Sequence, residues 1–491
     1  MVEVEGCREM ETNEICRMSA VELAALIRAK QLSPVEVVDA VLARMERLEP
    51  HLHAFGTPTP DLAREAAKRI EQSIIRGDAV GPLAGVPISI KDLIFTKGIR
   101  TVSGSIAYRD FVPDEDDIVV ERLKQAGAIV LGKTNVSEFG YSATGHNPVF
   151  ETTRNPWDLA RTSGGSSAGA GVAAVTGMGP IAVGSDGGGS VRIPAAFCGT
   201  YGIKPSFGRI PLYPGSRDER YPGASGWESV ECLGPLTRTV ADSALTLSIA
   251  TGPDMRDRHS LPRAEFDWLK SCEGDLRGKR VAFSRDWGYA AVDPEVTEIV
   301  AAAVRVFERD LGCIVEEANP GWDDPAEAFA ALLIAETDLR AMREMIAKHG
   351  HQMSSHMVDL MSREWTAEDL TSANIVRKAV VNKMWRLMTK YDLLLTPTAA
   401  VPAFPLHMQG PDKIAGRYVR PESFLAFTFP LNLTGQPAAS VPAGFTRDGL
   451  PVGLQIIGRH LDDAMVLRAS AAFEAAQPWA HLWPPIVEQL S

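Results

Sequence analysis

The sequence predicts an α/β fold. Three observations carry the prediction. Short β-rich runs flank helical segments twice along the chain, capping signals open the helices, and 45% of the 491 residues are apolar, as in ordinary globular proteins. A chain of this length can bury a wide sheet on both faces, so its core needs no disulfide or metal.

The first elements are helical. Ser19-Ala20-Val21-Glu22 and Ser33-Pro34-Val35-Glu36 each set a capping serine three residues before a glutamate, and the second adds proline at the first helical position. Val37, Val38, Ala40, Val41, Leu42 and Met45 then give that helix one face to bury. A third helix is predicted from residue 60 to about 75. The pattern changes at Gly85-Val86-Pro87-Ile88-Ser89-Ile90-Lys91-Asp92. This β-rich run, a helical stretch over 119–126 and Ala128-Ile129-Val130-Leu131 read as strand, helix, strand. Arg280-Val281-Ala282-Phe283, a helix opened by Asp293-Pro294-Glu295 and ending near Gly312, and Ile314-Val315 repeat that order. Residues 325–391 read as mostly helical, 391–395 and 452–457 as buried strands, and a last helix is capped near Asp462. With no repeat, low-complexity tract or linker, a single domain over 1–491 is expected. Its parts are an N-terminal helical part (1–76), a catalytic core (77–320), a variable substrate-pocket region (321–420) and a C-terminal sheet and helix closure (421–491).

Composition excludes some functions. Fifty basic against 62 acidic residues give a net charge of −12, and no run of Lys and Arg occurs. A nucleic-acid groove needs such a run to offset phosphate charge. The cysteines at 7, 16, 198, 232, 272 and 313 form no C-x-x-C pair, which disfavours zinc knuckles and redox pairs and fits a reducing compartment. The N-terminus is acidic and lacks the apolar core of a signal peptide, and no apolar stretch is long enough to span a bilayer. A cytoplasmic protein is expected, monomeric or homo-oligomeric, with no membrane or nucleic-acid partner and no cofactor or metal.

The most unusual stretch runs from Gly164 to Ser190. Ten of the 42 glycines fall between Gly164 and Gly189, bracketed by Ser166-Ser167 and Ser190. Consecutive glycines before a serine can turn several N–H groups toward one point and hold an oxyanion beside the hydroxyl. The bland alternative is a flexible surface loop. Against it, Val172-Ala173-Ala174-Val175 and Ile181-Ala182-Val183 within the stretch demand burial. A nucleophilic serine needs a base. The ten histidines lie far off, and His349, His351 and His356 fit a solvated helix end better than a metal site. Lys91 is the other candidate: set among Ile88, Ile90, Leu93 and Ile94, it would lose basicity on burial. Its alternative is a strand-end lysine whose ammonium reaches water.

Two further patterns compete. Gly127-Ala128-Ile129-Val130-Leu131-Gly132-Lys133-Thr134 fits the phosphate-loop spacing, but its apolar middle prefers a strand where a cradle needs a loop. Gly169-Ala170-Gly171-Val172-Ala173-Ala174 resembles a dinucleotide fingerprint, but no strand runs directly into it.

Taken in order, Gly164-Gly165-Ser166-Ser167, Gly184-Ser185-Asp186-Gly187-Gly188-Gly189-Ser190-Val191-Arg192-Ile193-Pro194 and Gly202-Ile203-Lys204-Pro205 resemble the amidase signature family. The family's two active serines are 24 positions apart, as are Ser166 and Ser190 here. Gly132-Lys133-Thr134-Asn135, Gly234-Pro235-Leu236-Thr237-Arg238 and Pro451-Val452-Gly453-Leu454-Gln455 extend the match over roughly residues 20 to 475. The resemblance implies a mixed central β-sheet covered by helices on both faces and a Ser–Ser–Lys triad. Ser190 would be the acylated nucleophile and Ser166, preceded by a cis peptide in the family, the proton relay. Lys91 would be the base. Gly187, Gly188 and Gly189 would line the oxyanion hole, with Ser167, Ser185, Asp186 and Arg192 bracing the triad. Two departures stand out: Ala168-Gly169 replaces a glycine pair, and position 187 is glycine where the family often has Thr or Ile.

The chain most resembles members that cleave aryl amides and urethanes, so a small apolar or aryl amide is expected as substrate. Carbamates and esters would enter the same path. The substrate pocket would draw on 320–420 and on Phe139, Tyr141, Phe424 and Phe427. Two other readings stay open: a glutaminase subunit of a tRNA-dependent amidotransferase, and a non-catalytic scaffold that keeps the fold.

Overall fold

The computed structural model describes residues 11–224 and 226–490; Cys7 and the acidic N-terminal segment lie outside them. The fold is α/β as expected, built on one mixed sheet of eleven strands flanked by helices. In chain order the strands are β1 (Phe55–Pro58), β2 (Pro87–Lys91), β3 (Ile129–Thr134), β4 (Ile181–Asp186), β5 (Tyr201–Lys204) and β6 (Cys232–Thr237). β7 (Arg280–Phe283), β8 (Ile314–Glu317), β9 (Leu393–Pro397), β10 (Ala438–Phe445) and β11 (Pro451–Gly458) follow. Across the sheet they lie β1-β3-β2-β4-β6-β5-β10-β11-β9-β7-β8.

Both strand–helix–strand units form parallel pairs: β2 with β3 across helix Ile118–Gln125, and β7 with β8 across helix Pro294–Arg309. β4 adds to β2 in parallel, while β6, β5, β10 and β11 join antiparallel through the middle. Every residue of β2, β3, β4 and β6 is buried, which is why these strands carry so few exposed polar side chains. The predicted caps are made. Ser19 and Ser33 close capping boxes with Glu22 and Glu36, and Asp293 and Asp462 accept N–H bonds at the starts of helices Pro294–Arg309 and Asp463–Ala476.

Strands β5, β6 and β10 were not expected from the sequence. β6 holds Gly234-Pro235, and β10 shifts register between Pro442 and Gly444. Proline and glycine there erase the usual strand signature. The two competing patterns resolve as packing. Gly127–Thr134 leads into β3, and Lys133 is buried against the Ile94 carbonyl, Thr96 Oγ1 (2.8 Å) and Thr101 Oγ1 (3.2 Å). Gly169 sits in helix Ala168–Thr176, where a Cβ would stand 1.9 Å from the Ala54 carbonyl oxygen.

Candidate active site

β2 and β4 lie side by side and parallel, with Ile90 opposite Val183, so their C-terminal ends open on the same edge. That edge is where open α/β sheets usually bind ligands. Lys91 ends β2 and Asp186 ends β4. From Asp186 the chain runs through Gly187-Gly188-Gly189-Ser190 into helix Arg192–Cys198. Ser166, after a cis Gly165–Ser166 peptide, precedes helix Ala168–Thr176, and the Ser167 N–H donates to the Ser190 carbonyl at 3.2 Å. Three distant segments thus converge.

Lys91 is fully buried, contrary to the water-reaching alternative. Its Nζ lies 2.7 Å from Ser166 Oγ, 2.9 Å from Ser185 Oγ and 3.2 Å from the Ser185 carbonyl oxygen. Burial lowers its pKa to about 7, against the opposing pull of the Glu231 and Asp186 carboxylates. Ser167 Oγ donates to the same Ser185 carbonyl at 3.1 Å, fixing the strand end. The Ser190 hydroxyl makes no hydrogen bond among the described residues and faces open space.

Asp186 and Arg192 brace the nucleophile loop as a fully buried ion pair. Burying two charges is costly unless every polar hydrogen finds a partner. Here all five guanidinium hydrogens do. They go to Asp186 Oδ2 (2.9 Å) and Oδ1 (2.8 Å), the Thr428 carbonyl (2.9 Å), Gln455 Oε1 (2.7 Å) and Asn432 Oδ1 (2.7 Å). Burial raises the Asp186 pKa, but the Arg192 charge and hydrogen bonds outweigh it and hold the carboxylate well below its ordinary range. Arg192→Met would strand that charge, and a loss of about 3–5 kcal/mol in unfolding free energy is expected. In a denaturant double-mutant cycle, adding Asp186→Asn should cost much less than the sum of the two single changes.

Asp186 also corrects one sequence expectation. The Gly189 N–H donates to Asp186 Oδ1 at 2.8 Å and is withdrawn from any oxyanion hole. The N–H groups of Gly187, Gly188 and Ser190 have no partner among the described residues.

A cavity of about 620 Å³ opens over Ser190 and Gly188. Its walls are largely apolar: Phe329, Leu333, Leu360, Phe424, Leu425 and Phe429, with Tyr141 and Trp227 beside the serine. Region 320–420 contributes to the walls as expected, and so do Tyr141 and Phe424. Phe139 instead lines a smaller cavity on the other side of Trp227. Phe427 belongs to neither: fully buried, its ring packs 5.9 Å from Trp287, and its carbonyl accepts from Gln455. Phe329, Phe429 and Trp227 escaped the sequence reading, because no local pattern separates a pocket aromatic from a core one. Trp227 also explains the departure at 187. A Cβ on Gly187 would stand 2.2 Å from a Trp227 ring carbon, so the glycine makes room for the indole. Gly187→Ala is expected to lower kcat/KM at least about 10-fold, and Trp227→Ala in the same chain should restore part of that loss.

The sequence pattern of the Amidase family matches residues 36–467. An acylamidase of Rhodococcus erythropolis is 39% identical over 479 residues, covering 95% of this chain and 97% of the relative. A glutamyl-tRNA(Gln) amidotransferase subunit from Carboxydothermus hydrogenoformans is 35% identical over 492 residues, covering 94% and 97%. The solved structure of a bacterial aryl acylamidase of the amidase signature enzymes superimposes with a TM-score of 0.88 at 32% identity, over 96% of this chain and 98% of that one. A family pattern spanning most of the chain, relatives matched nearly end to end and a shared fold make this chain a member of the amidase signature family of amide hydrolases.

Proposed function

We propose that this protein hydrolyses amides with apolar acyl groups through an acyl-enzyme on Ser190, with Ser166 as proton relay and Lys91 as base. The observation that carries the reading is the buried Lys91 amine, 2.7 Å from Ser166 Oγ. A neutral amine has two hydrogens and one lone pair. Given to Ser185 Oγ and the Ser185 carbonyl, the hydrogens leave the lone pair for the Ser166 hydroxyl. As Ser190 attacks the carbonyl carbon, its proton passes to Ser166 and the Ser166 proton to Lys91. The N–H groups of Gly187, Gly188 and Ser190 receive the oxyanion. The Lys91 proton returns through Ser166 to the departing nitrogen, and water then repeats the sequence to release the acid. Esters follow the same path with oxygen as the leaving atom, and carbamates follow it with an alkoxycarbonyl group in place of the acyl group.

The 35% identity to the amidotransferase relative favours glutamine as a second substrate reading. Glutamine would need an unpaired cation for its carboxylate. At the cavity mouth, however, Arg363 pairs with Glu327, and Arg420 with Asp324 and Glu422. Brief reaction with a nitrophenyl ester, acid quenching and peptide mass analysis test the proposal. One acyl group on Ser190 is expected. Acylation elsewhere, or ammonia release from glutamine without acylation by the ester, would replace this reading.

A further inference from the structure

Behind Ser190 lies the second cavity, of about 30 Å³, room for a water-sized guest. Its polar wall is Ser166, Ser185, Ser216, Asp117 and Glu231. Ser216 is 5% exposed, and its hydroxyl stands beside the Glu231 carboxyl. The inner cavity therefore offers a serine hydroxyl and two carboxyl groups to a small polar guest. Trp227 and Ser190 border both cavities, but Ser166 faces only the inner one and Gly188 only the outer one.

We propose that the inner cavity receives the leaving nitrogen, so that the preferred substrate is a primary amide with a bulky apolar acyl group and the guest is ammonia or ammonium. This rests on the Ser190–Ser166–Lys91 reading. The proton for the departing nitrogen comes from Ser166, so that nitrogen must face Ser166 and hence the inner cavity. The acyl group is left with the large apolar cavity reached over Gly188. In the step, the C–N bond breaks, Ser190 Oγ bonds to the carbonyl carbon, and the –NH2 group takes the proton returned by Ser166 to become NH3. After hydrolysis the balance is R–CO–NH2 + H2O → R–COO⁻ + NH4⁺. A benzene ring needs a cavity of about 150 Å³, so an anilide would fit only by displacing Trp227. The carboxyl groups of Asp117 and Glu231 line the cavity, where they can accept hydrogen bonds from the amine.

The test is a series sharing the 3-phenylpropanoyl group: primary amide, N-methylamide, anilide and methyl ester. The primary amide should exceed the anilide at least about 100-fold in kcat/KM. Ammonium chloride should inhibit methyl ester hydrolysis more than sodium chloride at equal ionic strength, and Glu231→Gln should weaken that inhibition about 10-fold. An anilide rate equal to or above that of the amide overturns the assignment, as does inhibition no stronger than sodium's. If the ester is turned over and Ser190→Ala abolishes this, such a result overturns the inner-cavity assignment alone. If no member of the series reacts, or Ser190→Ala stays active, the triad reading falls with it.

Discussion

Ser190→Ala is expected to lower kcat on any amide or ester by at least about 10⁴-fold, because the proposed mechanism forms the acyl-enzyme on that hydroxyl alone. Its melting temperature should match that of the wild type. The Ser190 hydroxyl bonds to none of the described residues, so its removal leaves no stranded partner among them. Loss of rate without loss of stability separates a nucleophile from a serine that merely fills space. A variant retaining a tenth of wild-type kcat would mean that the chemistry runs elsewhere. Residual activity near 10³-fold over the uncatalysed reaction is consistent with the reading, since the oxyanion donors survive the substitution.

Lys91→Met should cost about 10³-fold or more in kcat/KM and also change the pH profile. An ordinary lysine is neutral in roughly one molecule per thousand at pH 7.5. With its pKa lowered to about 7, most Lys91 side chains are neutral at that pH. In the proposed mechanism the neutral form is the base, so wild-type kcat/KM should rise about tenfold per pH unit below 7 and level off near pH 8. Glu231 raises the Lys91 pKa, so Glu231→Gln should move that rise toward lower pH. A flat wild-type profile from pH 6 to 9 would remove Lys91 from the role. Stability gives an independent check. The folded pKa lies below the unfolded one, so between pH 7 and 10.5 the unfolded chain binds more protons and stability climbs with pH. Below pH 7 the full penalty of the buried amine is present, and Lys91→Met, which removes it, should there melt above the wild type.

How far the sequence discloses this site depends on the kind of signal. Capping boxes at Ser19 and Ser33 and the two strand–helix–strand units are local, and each appears in the fold where its residues place it. The glycine-rich run was legible because apolar neighbours surround it. The residues around Lys91 left a buried amine and a water-reaching ammonium both open, and only the fold decides for burial. Long-range features were not legible. Gly189 looks identical to Gly187 and Gly188 in sequence, and only the Asp186 carboxylate three residues back sets it apart. Phe424 and Phe427 sit three residues apart, yet one lines the outer cavity and the other packs on Trp287. Glu231 and Asp117 carried no motif at all; strands β4 and β6 and the segment before helix Ile118–Gln125 had to assemble first.

The brace around Arg192 bears on when this enzyme becomes active. Three of the groups that hold the guanidinium belong to Thr428, Asn432 and Gln455, whereas the loop that it supports ends at Ser190. The chain must therefore be made as far as Gln455 before this loop has its full support. Until then the emerging polypeptide carries all three proposed catalytic side chains without their full brace, and it is expected to be inactive. The same is expected of any fragment cut short before Thr428: a segment that begins 236 residues after Arg192 acts as the lock on the loop.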